Sequence, residues 1–401
     1  MKTLILIILT MNVFAFDNVS GNIVYYYDKV TRKIVNKPDR AQFTNTESIQ
    51  LNFDKTCNDF YFNSSLFAYT YKTNTIEGLR SLNVYQDFKS TEIFFRSLYV
   101  SYKLTNNLSI GGGLLPFSNT TPVEFSRNYY ADGEGISILN DSVLTGVFLN
   151  YNTDNTRTIA GIGTQDSILV PSGNYIDETL TKGTITSFLI HEYTTDKIKF
   201  TAEYLHVNMK YEGTYISTID LLGLSLSYDD AMESGWSFYT QAGISRYENH
   251  AGNVKDKILK NNKIPSYVPV FKPNNFAFED STLYGKSVLL GFRKDFSLLN
   301  EEFFINAEFF RTFGDWTSGN QGNPYLGKRS NLMFNVRDNS YFLNLGYNFN
   351  KNIQARIYTT ILELNEKGKV GATADTIPVD QYIGPQVYKI TISGFSVSYL
   401  F

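Results

Sequence analysis

Ser393-Gly394-Phe395-Ser396-Val397-Ser398-Tyr399-Leu400-Phe401 ends the chain, with large apolar residues at 395, 397, 399 and 401 and serine at 396 and 398. Successive side chains of a β-strand point to opposite faces, so this stretch carries one apolar face and one polar face. Many soluble strands do the same. The deciding point is how often the pattern returns. Leu222, Leu224, Leu226 and Tyr228 alternate with Ser225 and Ser227, and Tyr341, Leu343, Leu345, Tyr347 and Phe349 with Asn344, Gly346 and Asn348. The same holds for Ile49, Leu51 and Phe53 against Gln50, Asn52 and Asp54, for Val143, Thr145, Val147, Leu149 and Tyr151 against Gly146 and Asn150, and for Ile353, Ala355, Ile357 and Ile361 against Gln354, Arg356 and Thr360. Polar residues on the second face of each strand predict a wet interior.

Connections of two lengths take turns between these strands. Short ones fall near Lys55–Asn58, Thr105–Asn107, Asn152–Asn155, Thr194–Asp196, Asp229–Ser234, Ser297–Asn300 and Asn350–Lys351, rich in the Asn, Asp and Thr of tight turns. Long ones fall near Lys29–Glu47, Thr73–Thr91, Pro116–Ser142, Gln165–Thr184, Lys210–Thr218, Glu248–Gly285, Gly314–Asn339 and Asn365–Tyr388. Seven short turns and eight long loops join 16 strands. An even number of strands with segregated loop lengths predicts an all-β fold, a transmembrane antiparallel β-barrel of 14 to 18 strands. Strands running toward the short turns end in Phe53, Tyr102, Tyr151, Tyr193, Tyr228, Phe296, Tyr347 and Tyr399, the placement of an interfacial aromatic girdle. Three places resist the pattern, the first being a weak strand over Thr158–Gly163. The facing of the strand around Phe188–Tyr193 is ambiguous, and a bulge at Gly394 would put Ile390 and Ile392 in step with the outward set.

The amino terminus has Lys2, an apolar run from Leu4 to Leu9, and Ala15. This predicts a secretory signal over residues 1–15, cleaved after Ala15, followed by a single barrel domain over 16–401. The run is shorter than the ~20 residues a membrane-crossing helix needs. No later stretch reaches that length, so a membrane location requires a closed barrel. Cys57 is the single cysteine of the 401 residues, which excludes an internal disulfide. The net charge of −3 is small and Lys and Arg form no stripe, which gives no support to nucleic-acid binding.

Together with the export signal, the loop alternation and the aromatic spacing, the carboxy-terminal run Phe395, Val397, Tyr399 and Phe401 resembles the assembly signal of bacterial outer-membrane barrels, and the chain resembles the porin superfamily. The resemblance implies insertion by the barrel-assembly machinery, an outer-membrane lipid environment, passive diffusion of small hydrophilic solutes or ions, and assembly as a homotrimer. Read on its own, Pro116–Ser142 is as readily a solvated outer loop, but the resemblance implies that this third long loop narrows the lumen. Glu124, Arg127, Asp132 and Glu134 in that loop would then set a constriction carrying both signs of charge. Strand parity puts Lys199, Glu203, Arg293, Glu308 and Arg356 on the lumen side, where a wall of solvated charges that selects nothing is the reading preferred over a substrate site.

Three competing functions can be weighed. An outer-membrane hydrolase needs a Ser/His or Asp/His centre, yet His191, His206 and His250 stand in no recognisable catalytic motif, so no enzyme activity and no cofactor are expected. A plugged importer has no residues for its plug, because strand-like sequence begins at about Gly21. A surface adhesin remains open through long loops such as Glu248–Gly285. Acidic residues Asp28, Asp39 and Asp280, read as loop positions, match no calcium-binding spacing, so no metal site is expected.

Overall fold

The computed structural model describes residues 16–34, 40–75, 88–114, 144–164, 185–211, 213–231, 233–250, 270–272, 275–276, 281–314, 337–364 and 387–401. Its strands are β1 (Asn18–Ile34), β2 (Arg40–Cys57), β3 (Phe60–Thr75), β4 (Phe88–Lys103), β5 (Leu108–Leu114), β6 (Thr145–Asn152), β7 (Thr156–Thr164), β8 (Ile185–Thr194), β9 (Ile198–Tyr211), β10 (Thr214–Asp230), β11 (Trp236–Asn249), β12 (Val270–Lys272), β13 (Asn275–Phe276), β14 (Ser281–Leu298), β15 (Glu301–Gly314), β16 (Arg337–Asn348), β17 (Ile353–Leu364) and β18 (Val387–Leu400). Strands β12 and β13 form a separate two-stranded ribbon, and the other 16 close into one antiparallel barrel. No helix is present among the described residues.

Closure removes the exposed edge that an open sheet would present. β1 meets β18 from Asn22↔Leu400 to Lys33↔Lys389 without a break. The last residue fastens the seam, because Gly21 N donates to Phe401 O at 2.9 Å and Phe401 N to Gly21 O at 3.1 Å. The predicted bulge at Gly394 is absent: pairing with β17 runs unbroken from Tyr399 to Lys389. Ile390 and Ile392 therefore share the inward face of Ser396.

Four of the short turns owe their shape to one Thr or Asn near their start. Thr105 Oγ1 accepts the N–H groups of Asn107 and Leu108, Thr153 Oγ1 that of Thr156 at 3.0 Å, Thr195 Oγ1 that of Ile198 at 3.0 Å, and Asn350 Oδ1 those of Asn352 and Ile353 at 2.8 and 2.9 Å. A side-chain oxygen that takes up the free N–H groups makes the reversal without a longer loop. Leu299 and Asn300, with φ of 56° and 67°, form a two-residue hairpin loop whose backbone twist matches the flanking strands.

At the opposite rim two expected long loops are short. β1 and β2 stay paired as far as Arg32↔Arg40, and β9 and β10 as far as Tyr211↔Thr214. The chain reverses after β9 near Gly213, whose φ is 76°. The other six connections fall where the alternation places them, from Thr164 to Ile185 for example.

The two faces of the wall differ as the period of two requires. Outward residues of β10 and β16, namely Leu222, Leu224, Leu226, Leu343 and Leu345, are each 40–47% exposed, while Ser340, Asn344 and Ser396 on the inward face are at most 1% exposed. At the turn rim the outward aromatics meet across strands, with ring centroids 4.9 Å apart for Phe60 and Tyr102 and 5.0 Å for Phe303 and Tyr347. Eight to ten residues above this girdle the outward face turns polar, at Asp220, Arg246, Lys286, Arg311, Asn339 and Glu363. That spacing is ~20–28 Å along the barrel axis for strands tilted ~40°, the height of an apolar band in a bilayer.

Candidate functional site: the barrel interior

The inward face is built of cross-strand rows. One row runs Arg293, Asn306, Asn344, Tyr358, Gly394, Asp28 and Thr44, each directly paired with the next on β14, β15, β16, β17, β18, β1 and β2. The residue after Asn306 on the same face, Glu308, receives the Tyr239 hydroxyl and lies 3.4 Å from Asn306 Nδ2. Tyr239 crosses Gly291 to do so; a side chain at 291 would collide with its ring. Phe304 covers Gly346 in the same way, and the Arg293 guanidinium stacks 4.1 Å above the Phe304 ring. Aromatic rings that lie flat on glycine keep large side chains against the wall and out of the bore.

Charges on this face come in matched groups. Glu192 is 2.9 Å from Lys199 and 3.6 Å from Arg157. Arg293 grips Asp295 with Nε and a terminal nitrogen at 2.9–3.2 Å. Arg356 Nε donates to Ser396 Oγ at 2.9 Å. Asp28 is buried in β1 and accepts the Tyr358 hydroxyl, so it is a wall residue and not the loop position read from sequence. The five residues expected in the lumen all occupy the inward face: Glu203 and Glu308 are buried, and Lys199, Arg293 and Arg356 are half-buried. They lie on β9, β14, β15 and β17 and do not converge on one centre. Near the turn rim a cavity of about 850 Å³ holds Asp229, Glu233, Arg293, Asp295, Glu302 and Asn306 among its lining. No cluster of three metal-ligating side chains occurs among the described residues.

The wet interior expected from the polar parity needs correction. Val24, Tyr26, Val30, Leu289, Phe310, Phe342, Leu362 and Ile392 form one buried apolar cluster on the inward face of β1 and β14–β18, and Leu205, Val207, Ile219 and Leu221 are fully buried on the inward face of β9 and β10. β8 also turns Phe188 and Ile190 inward, which resolves its ambiguous facing. The interior is thus a mixture of paired charges, polar rows and apolar patches. An unbroken parity count through Gly394 would have found Ile390 and Ile392.

Glu124, Arg127, Asp132 and Glu134 lie outside the described residues, as do residues 1–15 with the expected export signal, Asp39 and Asp280. Phe395, Val397, Tyr399 and Phe401 all lie on the outward face at the end of the chain, 40–43% exposed.

No family profile matches the sequence, and no curated protein matches it. Solved structures do match the fold. An anion-selective porin from Comamonas acidovorans superposes with a TM-score of 0.51 at 11% identity, over 96% of this chain and 99% of that one. OmpT in its trimer form, an outer membrane protein of Vibrio cholerae, gives 0.47 at 9% identity over 96% and 100%. A mutant of the Rh. blastica porin gives 0.44 at 11% identity over 96% and 99%. At these identities the likeness concerns the fold alone, a closed 16-stranded antiparallel β-barrel.

Proposed function

We propose that the protein is an outer-membrane porin, a passive pore for small hydrophilic solutes or ions. The observation that carries this reading is the contrast between the two faces of a closed wall. Outward leucines and aromatics suit lipid, and the paired charges of the inward face, Glu192 with Lys199 and Arg157 and Arg293 with Asp295, suit a hydrated path. Charges neutralised on the wall present no ladder of one sign, so a solute is filtered by size and dipole more than by net charge. Such a pore needs no cofactor and performs no chemistry on its solute. Residues 1–15 act as the export signal, and the outward terminal strand presents Phe395, Val397, Tyr399 and Phe401 to the barrel-assembly machinery. The porin from Comamonas acidovorans is anion-selective and OmpT has a trimer form; a homotrimer is the assembly we infer for this chain too.

Single-channel recording in planar bilayers tests the reading. Stepwise conductance is expected, and its absence in the reconstituted full chain would sink the pore in favour of an adhesive barrel. Within that function, Glu124, Arg127, Asp132 and Glu134 are the constriction charges. Arg127→Glu is expected to shift the reversal potential in a salt gradient toward cations; an unchanged potential and conductance would remove this loop from the permeation path.

A further inference from the structure

A polar row crosses the outward face of β8, β9 and β10 at the level where that face turns polar. Ser187 on β8 pairs directly with His206 on β9, and His206 pairs with Asp220 on β10. All three belong to the face that carries Leu189, Tyr204 and Leu222, which are 40–44% exposed. His206 Nδ1 lies 2.7 Å from Asp220 Oδ1, and the Tyr204 hydroxyl donates to the same oxygen at 2.8 Å. On the far side the Arg246 guanidinium stands 3.8 Å from Asp220 Oδ2.

The two nitrogens of an imidazole lie on opposite flanks of its Cβ–Cγ bond. A ring that turns Nδ1 toward Asp220 on β10 therefore turns Nε2 toward β8, where the Cβ of the directly paired Ser187 is about 5 Å from that of His206. Asn208 is the next outward residue of β9. It pairs with Ile185 and Thr218, and its Oδ1 accepts the Thr218 hydroxyl on β10 at 3.4 Å, which leaves Nδ2 on the flank toward β8, diagonal to Ser187 in register. Ile162, Ile185 and Leu189, 40–49% exposed, surround the serine with apolar surface.

The row lies six to eight residues above the girdle residues Tyr193 and Tyr228, ~15–20 Å along the barrel axis. The histidine and aspartate stand at the upper edge of the apolar band, where ionisable groups on a lipid-facing wall are costly unless they pair. In an apolar band ~25 Å tall, the acyl esters of the leaflet on the long-loop side lie just above this level.

We propose that Ser187, His206 and Asp220 form a serine-hydrolase centre on the lipid-facing wall, with the acyl ester of a membrane lipid as its substrate. Ser187 Oγ attacks the ester carbonyl carbon and His206 Nε2 takes the hydroxyl proton. Asn208 donates a hydrogen bond to the oxyanion. The tetrahedral intermediate breaks its bond to the lipid alkoxy oxygen, which leaves with the proton from His206 as a lysolipid. Water, deprotonated by the same nitrogen, then cleaves the acyl-serine to a free fatty acid and restores the hydroxyl. Asp220 is a positioning residue that fixes the ring and its tautomer. The Ser187 to His206 hydrogen bond is not formed in the resting protein and closes when the ester enters. None of these residues lies on the inward face, so the centre is independent of the pore.

The test uses the full-length protein reconstituted in phosphatidylethanolamine and phosphatidylglycerol vesicles, with release of free fatty acid and labelling by a fluorophosphonate as readouts. Wild type is expected to release fatty acid and to carry the label on Ser187. Ser187→Ala and His206→Asn are expected to lower the release by about a hundredfold or more, with single-channel conductance kept as the control for a folded barrel. No release by wild type, or release unchanged in conducting Ser187→Ala protein, overturns the proposal. Hydrolysis by a wild-type barrel that does not conduct would instead refute the pore and leave this centre standing.

Discussion

Asp28 and Gly394 show how much a single position decides on the inner wall. Gly394 occupies the slot between Asp28 and Tyr358: a side chain there would collide with Asp28 Oδ1 and crowd the Tyr358 hydroxyl that donates to it. The sequence invites a bulge at this glycine, because two isoleucines precede it at the inward parity and an apolar residue is expected to face lipid. The physical reason is different: the glycine makes room for a buried hydrogen bond. Alternation reveals which residues share a face. It does not reveal that some inward residues pack on each other, and this is why the apolar cluster around Phe310 and Ile392 was not legible. Tyr358→Phe removes the donor to a fully buried carboxyl, and a loss of about 1–3 kcal/mol is expected, read as an earlier transition in heat-modified gel mobility. Gly346→Ala is expected to cost a similar amount, about 1–3 kcal/mol, because Phe304 occupies the space a methyl would fill. Combining it with Phe304→Leu should recover part of that loss; strict additivity of the two changes would show that the ring and the glycine are not coupled.

At the level of strands and turns the sequence spoke clearly for membrane-crossing segments and poorly for what lies beyond them. Strands β1 and β2 contain 17 and 18 residues, more than the ~10 a tilted strand needs to cross the bilayer. Above the apolar band neither face requires apolar side chains, so Lys29, Thr31 and Lys33 read as loop although the ladder continues through them. Hydrogen bonding of the backbone, which alternation cannot report, decides where such strands end. The turns also carry a titration signature. Lys197 reaches from the β8–β9 turn to Asp230 and Glu233 in the next turn, 2.7 Å from each. Its ammonium group, followed by a hydrogen bond from Ser234, holds the Asp230 carboxyl below the usual carboxylate range. A carboxyl depressed in the folded state contributes stability above its ordinary value of 3.8 and loses it as pH falls through the depressed value. Acidification through that range should therefore lower the unfolding temperature more in wild type than in Lys197→Ala; equal slopes would show that the pair contributes nothing at this exposed site.

On the scale of the whole barrel, the separation of short turns from long connections gives the molecule a direction. Seven short turns lie at one rim, against six long connections and two short ones at the other, and the girdle of Phe53, Tyr102, Tyr151 and Tyr228 marks the side of the seven. In the outer-membrane orientation that we propose, this rim faces the periplasm, since short turns are translocated least and long loops face the medium. Cys57 reports on that choice. It is the single cysteine of the chain, it is exposed, and it ends β2 beside the Asn58–Asp59 turn. A maleimide carried on a polymer too large for the pore should leave Cys57 unmodified in intact cells. It should modify the residue once the outer membrane is opened. A cysteine placed near Thr164, where the first residue of a long connection follows β7, should behave the opposite way in a Cys57→Ser background. Modification of Cys57 in intact cells would invert the barrel. It would also put the outward Ser187 to Asp220 row, which lies nearer the long-loop rim, against the periplasmic leaflet, so the orientation fixes which lipid layer that row meets.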